Sequence, residues 1–298
     1  MTESPITTLS DYSAACTACT RKRYRIERQA NLAQAVICDD CFSVCPACDG
    51  QEFTYQRDDR GYEFARQCPV CSTLKRRIQA FNEAAIPHRH ANSTFEGFQT
   101  SSTGADGSRG EPLGNLNQVR FRLYNWVKGF EIGERGFMLH GQVGTGKTHL
   151  LVAAIRHLTL EKGISAKFVE FTHLLSALRR EFDQGRGDSS VLAPVIDVPV
   201  LAIDELGKGQ NTDWQVSIID EIISKRYNRS LTTLFTTNYP LELDDKLPAG
   251  DAHDDAFHRA AVGTSLQQRV GIRVFSRLYD MADFISIDAP DFRRRDTP

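Results

Sequence analysis

Short apolar runs alternate with amphipathic stretches through the second half of this chain. The apolar runs at 136–140, 166–171, 198–204, 232–237 and 283–287 read as buried strands. Between them lie helical patterns at roughly 147–161, 172–184, 212–229 and 264–279. In the first, Leu150, Leu151, Ala154, Ile155 and Leu158 recur at helical spacing. In the third, Trp214, Ile218, Ile219, Ile222, Ile223 and Tyr227 form one stripe, expected to pack into the core. Strands alternating with helices predict an α/β fold with a parallel sheet. Two stretches interrupt the pattern. Residues 99–118 are rich in Ser, Gly, Asn and Pro and read as a linker or mobile loop. Residues 241–261 are acidic, hold Pro248 and Gly250, and also read as a loop. The chain shows no repeat of 20–50 residues.

Composition divides the chain further. All eight cysteines precede residue 72, so residues 1–80 read as a small metal-binding domain. Residues 81–118 are expected to be linker and entry segment, and 119–298 the α/β domain. At 298 residues the chain accommodates one large domain or two unequal ones. The net charge of −2 creates no global positive field, so nucleic acid would have to use local patches. No apolar run approaches the roughly 20 residues that span a bilayer, and the first residues lack a basic stretch followed by an apolar one. A cytoplasmic location with no membrane partner is the expectation. There, clustered cysteines point to metal rather than to disulfides.

The chemistry concentrates first at Gly141-Gln142-Val143-Gly144-Thr145-Gly146-Lys147-Thr148, which satisfies G-x-x-x-x-G-K-[ST] between an expected strand and an expected helix. Glycines let successive N–H groups turn onto an anion, and the helix N-terminus adds partial positive charge. Gly141, Gly144, Thr145, Gly146 and Lys147 would hold the phosphates of ATP, and Thr148 would ligate Mg²⁺. A second motif, Val198 to Glu205, is an apolar strand ending in two carboxylates. Asp204 suits Mg²⁺, and Glu205 suits orientation and deprotonation of a water. A third strand ends in Thr236-Thr237-Asn238. The Asn238 amide could reach a γ-phosphate, or it could simply open the turn before Pro240.

In order, Gly146-Lys147-Thr148-His149-Leu150, Ile203-Asp204-Glu205-Leu206-Gly207, Thr236-Thr237-Asn238 and 271–278 (GIRVFSRL) resemble the AAA+ ATPases of the DnaC/DnaI helicase-loader group, which also includes IstB-type transposition ATPases. Phe95-Glu96-Gly97-Phe98 resembles the Phe-x-x-Phe segment ahead of the core in that group. The resemblance covers about 92–298. It implies that Asn238 is the sensor-1 residue and that Arg277 is an arginine finger completing a neighbour's site. It implies that Arg273 is a second arginine on the same helix face, and that Arg293 is the sensor-2 arginine. A planar guanidinium suits phosphoryl oxygens. A finger acting in trans implies self-association or a partner-completed site. Segment 241–261 is longer than the group's pattern. Few residues follow the last strand, so no helical lid domain is expected.

The cysteines form four C-x₂-C pairs: Cys16/Cys19, Cys38/Cys41, Cys45/Cys48 and Cys68/Cys71. Spacers of 18 and 19 residues fit C-x₂-C-x₁₅₋₂₀-C-x₂-C. Two zinc-ribbon-like Cys₄ sites, each holding one Zn²⁺, are expected with sequential pairing. Cross-braced pairing, of pairs one with three and two with four, is the alternative, and an iron–sulfur cluster is the competing occupant. Arg21, Lys22, Arg23, Arg25 and Arg28, with Lys75, Arg76 and Arg77, stand near Tyr24, Phe53, Tyr55, Tyr62 and Phe64. Such a mixture suits single-stranded nucleic acid, solvated surface or protein docking. Together these readings imply an AAA+ P-loop ATPase of slow, partner-stimulated turnover, preceded by a zinc-binding domain. Its expected role is to load or remodel a replicative hexameric helicase on single-stranded DNA. The alternatives are a transposition ATPase that selects target DNA, or an ATP-dependent adaptor with little turnover.

Overall fold

The computed structural model describes residues 16–20, 22–40, 45, 47–103, 109–185, 189–242 and 264–292. The described chain divides into two compact units. One runs up to Ala91 and includes Thr159–Ile164, and the other holds the rest.

The first unit contains two antiparallel hairpins. Strands β1 (Tyr24–Gln29) and β2 (Leu32–Ile37) form one, and β3 (Phe53–Arg57) and β4 (Glu63–Gln67) form the other. Helix α1 (Pro69–Glu83) follows directly, with Pro69 at its first position, where a missing N–H costs nothing. The apolar interior is small: Ala33, Ala35, Leu74, Ala80, Phe81, Ala84 and Ile86. On its free side, β2 meets the end of α1 and the segment that follows it. The Asn82 amide donates to the Ala35 carbonyl at 3.0 Å and accepts from the Ala35 N–H at 2.7 Å. Ala33 N–H donates to the Ile86 carbonyl, and His88 N–H to that of Asn31.

The second unit opens with a short hairpin of β5 (Ser101–Thr103) and β6 (Arg109–Pro112), followed by α2 (Leu116–Gly129). The stretch expected to be a linker therefore carries a hairpin and a helix start. Its polar composition hid both, because a two-strand ribbon needs no apolar run. The sheet consists of β7 (Gly136–Gly141), β8 (Ala166–Glu170), β9 (Val200–Asp204), β10 (Thr232–Thr237) and β11 (Ala282–Ile287), in the order β11-β7-β10-β9-β8. Every pairing is parallel, as expected. Strands β9 and β10 are buried at every position, as strands covered on both faces must be.

Helices α3 (Lys147–Arg156), α4 (Phe171–Asp183), α5 (Ser189–Ile196), α6 (Asp213–Asn228), α7 (Leu266–Val270) and α8 (Ile272–Met281) connect the strands. Met138, Leu201, Ile203 and Phe235 lie on one sheet face, in a single core with side chains of α4, α5, α6, α7 and α8. Ile218, Ile219, Ile222 and Ile223 join that core as the stripe predicts, while Tyr227 is exposed. The alternate face, which carries Ala202, Asp204, Leu234 and Thr236, packs on α3. One helix was expected over 264–279. Two form, because Gly271 adopts φ 81° and ends the first, while a Ser265–Gln268 capping box starts it. Helix α5 was not anticipated, since Pro194 sits inside it. Arg226 of α6 is fully buried, and burial drags its pKa down to about 9. It donates to Thr233 Oγ1 and to the carbonyls of Val195, Ile196, Val198 and Thr232. Segment 243–263, most of the acidic loop, lies outside the described residues.

Candidate nucleotide and metal sites

The nucleotide site stands at the carboxyl end of the sheet, where open parallel sheets bind ligands. Strand β7 delivers the glycine loop, and α3 begins at Lys147 with Gly146 as its N-cap at φ 88°. Space as well as φ requires the glycines here. A Cβ on Gly144 would stand 1.7 Å from an Asp291 carboxylate oxygen, and one on Gly146 would stand 2.6 Å from the Phe98 ring. Phe98 thus seats the entry segment against the loop. His149 adds a ring contact at 5.1 Å and a 2.8 Å hydrogen bond to the Thr94 carbonyl. Lys147 is buried and folds back onto its own loop, donating to the carbonyls of Gly141 at 2.8 Å and Gln142 at 2.5 Å. Thr145 Oγ1 donates to Gln142 O at 2.9 Å, which tightens the turn.

Strand β9 brings Asp204 to the same end. Thr148 Oγ1 lies 2.9 Å from Asp204 Oδ1 and 3.1 Å from Oδ2. Thr236 of β10 donates to Asp204 Oδ1 at 2.6 Å and accepts from the Glu205 N–H at 2.9 Å. Burial pushes the Asp204 carboxyl above the usual carboxylate range. The Thr236 and Thr148 hydrogen bonds pull it back, and Glu205 and Glu170 repel it upward again. A hydroxyl and a carboxylate this close suit a hard divalent cation, which prefers oxygen ligands. Burial and the neighbouring Lys147 charge together lower the pKa of His140, the residue before the loop. Glu205 stands at φ 57°, a left-handed conformation uncommon for its type, and its carboxylate contacts Lys208 Nζ at 2.5 Å.

Asn238 directly follows β10, the strand between the glycine-loop strand β7 and the Asp204 strand β9, and is half-buried. The arginines lie elsewhere. Arg277 is on α8 and donates to Asp220 Oδ1 at 2.9 Å and Ser224 Oγ at 2.6 Å, both of α6. Arg273, one turn earlier on α8, is exposed. Arg293 lies outside the described residues. Sequence reasoning missed Thr236, Lys208 and Arg269. Thr236 had a signal in the Thr-Thr-Asn motif. Lys208 contacts Glu205 and Arg269 contacts the Gly209 carbonyl, both at a loop that no local pattern reveals.

The cysteines assemble into two sets. The sulfurs of Cys45, Cys48, Cys68 and Cys71 all lie within 4.8 Å of one another, as do those of Cys16, Cys19 and Cys38. The fourth expected member of the second set, Cys41, lies outside the described residues. Sequential grouping is the one observed, because each hairpin brings together the two ends of its own half. Cys48 leads into β3, and Cys68 leaves β4 as the N-cap of α1. The sulfurs stand 3.6 Å apart for Cys48–Cys71 and 3.9 Å apart for Cys45–Cys68 and Cys16–Cys38. A tetrahedral ion with thiolates at about 2.3 Å requires about 3.8 Å between sulfurs, while a disulfide requires about 2.05 Å. The donor set therefore fits a thiophilic cation, zinc or iron. Burial pushes the Cys45 and Cys71 thiols up, and adjacent sulfurs push Cys71 further. Cys48 moves the other way: burial pushes its thiol up, but hydrogen bonds involving Cys71 and the Glu52 backbone outweigh that burial.

The basic cluster near the first pair does not form one surface. Arg23 and Tyr24 are buried, Arg25 pairs with Asp40, and Arg21 lies outside the described residues. Phe53, Tyr55, Tyr62 and Phe64 are exposed on β3–β4. No helix among the described residues is long and apolar enough to cross a membrane.

Residues 127–257 match the family described as IstB-like ATP binding protein. The chain is 27% identical over 170 residues to the replicative helicase loader DnaC of Escherichia coli strain K12, covering 57% of this chain and 64% of that protein. It is 30% identical over 134 residues to the uncharacterized protein YqaM of Bacillus subtilis strain 168, covering 43% of this chain and 41% of that one. The crystal structure of the DnaC helicase loader aligns with a TM-score of 0.52 at 28% identity, covering 67% of this chain and 99% of the other. The match thus spans just under two thirds of the curated loader's length. The P-loop unit is an AAA+ core of the DnaC and IstB type.

Proposed function

We propose that this DnaC/IstB-type core hydrolyses ATP and that the chain loads or remodels a replicative helicase on single-stranded DNA. The observation that carries the hydrolytic part is the cluster of Thr148, Asp204, Thr236 and Glu205 beside the glycine loop. In this reading Lys147 and the loop N–H groups hold the triphosphate, and Thr148 with Asp204 would hold Mg²⁺, which supplies charge neutralisation. Glu205 orients the attacking water and accepts its proton, and Asn238 reads the γ-phosphate. Arg277 acts across an interface on a neighbour's nucleotide, with Arg273 beside it, and Arg293 senses the phosphate in its own subunit. The two cysteine sets hold one Zn²⁺ each, and the ions supply the fixed positive charge that folds the first unit. That unit docks the helicase, and its exposed aromatic hairpin offers rings to stack on bases of a single strand.

Mixing the chain with its host's replicative helicase, with and without ATP, tests the loader role by complex mass. A stable complex lost on Cys68→Ser supports it. Absence of any complex with every nucleotide would overturn it. A second reading is favoured by the IstB-like match: a transposition ATPase that selects target DNA. A purified transposase whose target choice becomes ATP-dependent in the presence of this chain would favour that reading.

A further inference from the structure

Glu205 is unusually constrained. Its N–H is held by Thr236 Oγ1 at 2.9 Å, and its carbonyl accepts from Lys208 N–H at 3.1 Å. The intervening backbone turns through Glu205 at φ 57° and Gly207 at φ 86°. With the main chain fixed at both ends, the Glu205 side chain keeps only its own torsions. The turn places Lys208 on the same side, and Lys208 Nζ takes up Glu205 Oε2 at 2.5 Å. Both side chains are about one third exposed, so the ion pair is strong enough to bias a rotamer and weak enough to open.

The same loop is tied to the arginine-bearing helices. Arg269 of α7 donates to the Gly209 carbonyl at 2.7 Å and to Tyr239 Oη at 2.9 Å, and its guanidinium stacks on the Tyr239 ring at 4.7 Å. Gly209 follows Lys208 directly. Helix α7 joins α8 through Gly271, and α8 carries Arg273 and Arg277. A displacement of α8 therefore reaches the residue next to Lys208 through one side chain.

We infer that Lys208 is a latch on Glu205, a positioning residue that restrains the water-orienting carboxylate until movement of α7–α8, transmitted by Arg269, releases it. This rests on the hydrolytic reading given above. Glu205 in the latched state has one oxygen committed to an ammonium rather than to water, so the resting enzyme turns over slowly. Release adds no new group. It frees one already in position.

The test compares steady-state ATP hydrolysis and ATP affinity for the full chain and for Lys208→Ala, Lys208→Gln, Lys208→Arg and Arg269→Ala, with melting curves confirming the fold. The latch predicts that both neutral variants raise kcat two- to fivefold, the range an exposed ion pair can impose, with KM for ATP unchanged. Lys208→Arg stays at the wild-type rate, and Arg269→Ala moves in the same direction as Lys208→Ala. Folded neutral variants that are no faster than wild type would overturn the latch and leave the hydrolytic reading standing. An unchanged Arg269→Ala would overturn the tether. If wild type and every variant bind ATP without hydrolysing it, the hydrolytic reading fails and the latch fails with it.

Discussion

The two units hold chemically reactive groups close together by opposite means. The P-loop unit covers both faces of a five-stranded sheet, and Asp204 and Thr236 sit toward the ends of β9 and β10, which are buried throughout. The cysteine unit has two small ribbons, one of them exposed along most of its length, and an interior built largely of alanine and the cysteines, with Leu74, Phe81 and Ile86 as its larger apolar side chains. In the first, apolar burial positions the polar groups. In the second, the polar groups must position the chain. The difference teaches that the same physical cost, crowding like charges, is compensated by scaffold in one place and, in the reading proposed above, by a bound ion in the other.

The largest expected effect separates the units outright. A strong chelator, or Cys68→Ser, should abolish the structure of the first unit while the second keeps its helical circular dichroism. Simultaneous loss of both would break the contrast. Next, Lys147→Ala should reduce ATP hydrolysis at least a hundredfold with no effect on metal content, measured by phosphate release and elemental analysis. Leu201→Ala, in a fully buried strand, should destabilise the second unit by about 2–5 kcal/mol in chemical denaturation and leave the first unmoved. Smaller again is a pH effect. The folded pKa of Asp204 is raised, so protonation removes its charge at a pH above the ordinary carboxylate range. Mg²⁺-dependent nucleotide affinity should therefore weaken as pH falls through that raised value, and Asp204→Asn should lose the dependence. For the unliganded protein the sign reverses. The charged form is the strained one, so the Asp204 contribution to stability is greatest below the unfolded pKa and declines as pH rises through the folded one.

How much the sequence revealed follows from this contrast. The glycine loop, the Asp204–Glu205 strand and the cysteine pairs are local signals, each carried by a few adjacent residues. Four strands fell within two residues of their expected bounds and the fifth, β10, matched them, because buried parallel strands are continuous apolar runs. The hairpins of the first unit left no such trace. Phe-Thr-Tyr-Gln-Arg alternates, yet neither face is covered, so its aromatics stand out beside the basic residues as a docking or stacking mixture rather than as a strand. Helix α5 was hidden by Pro194 within an apolar run that periodicity alone does not classify. Thr236 was visible as a motif member, but its bridge from Asp204 to the Glu205 backbone depends on β9 and β10 being neighbours. Lys208 and Arg269 carry no signature at all. Their contacts arise from a turn and a stacked tyrosine, which exist only after folding.

The Asn82 amide, bonded both ways to Ala35, has a consequence for how this chain behaves in a crowd. A two-strand ribbon offers an outer row of N–H and carbonyl groups, the kind of surface on which another chain can add a strand. Along β2 that row is answered from within by one side chain and the backbone that follows it. The ribbon is thereby closed to further extension, and a unit with very little apolar interior is protected from templated aggregation on that side.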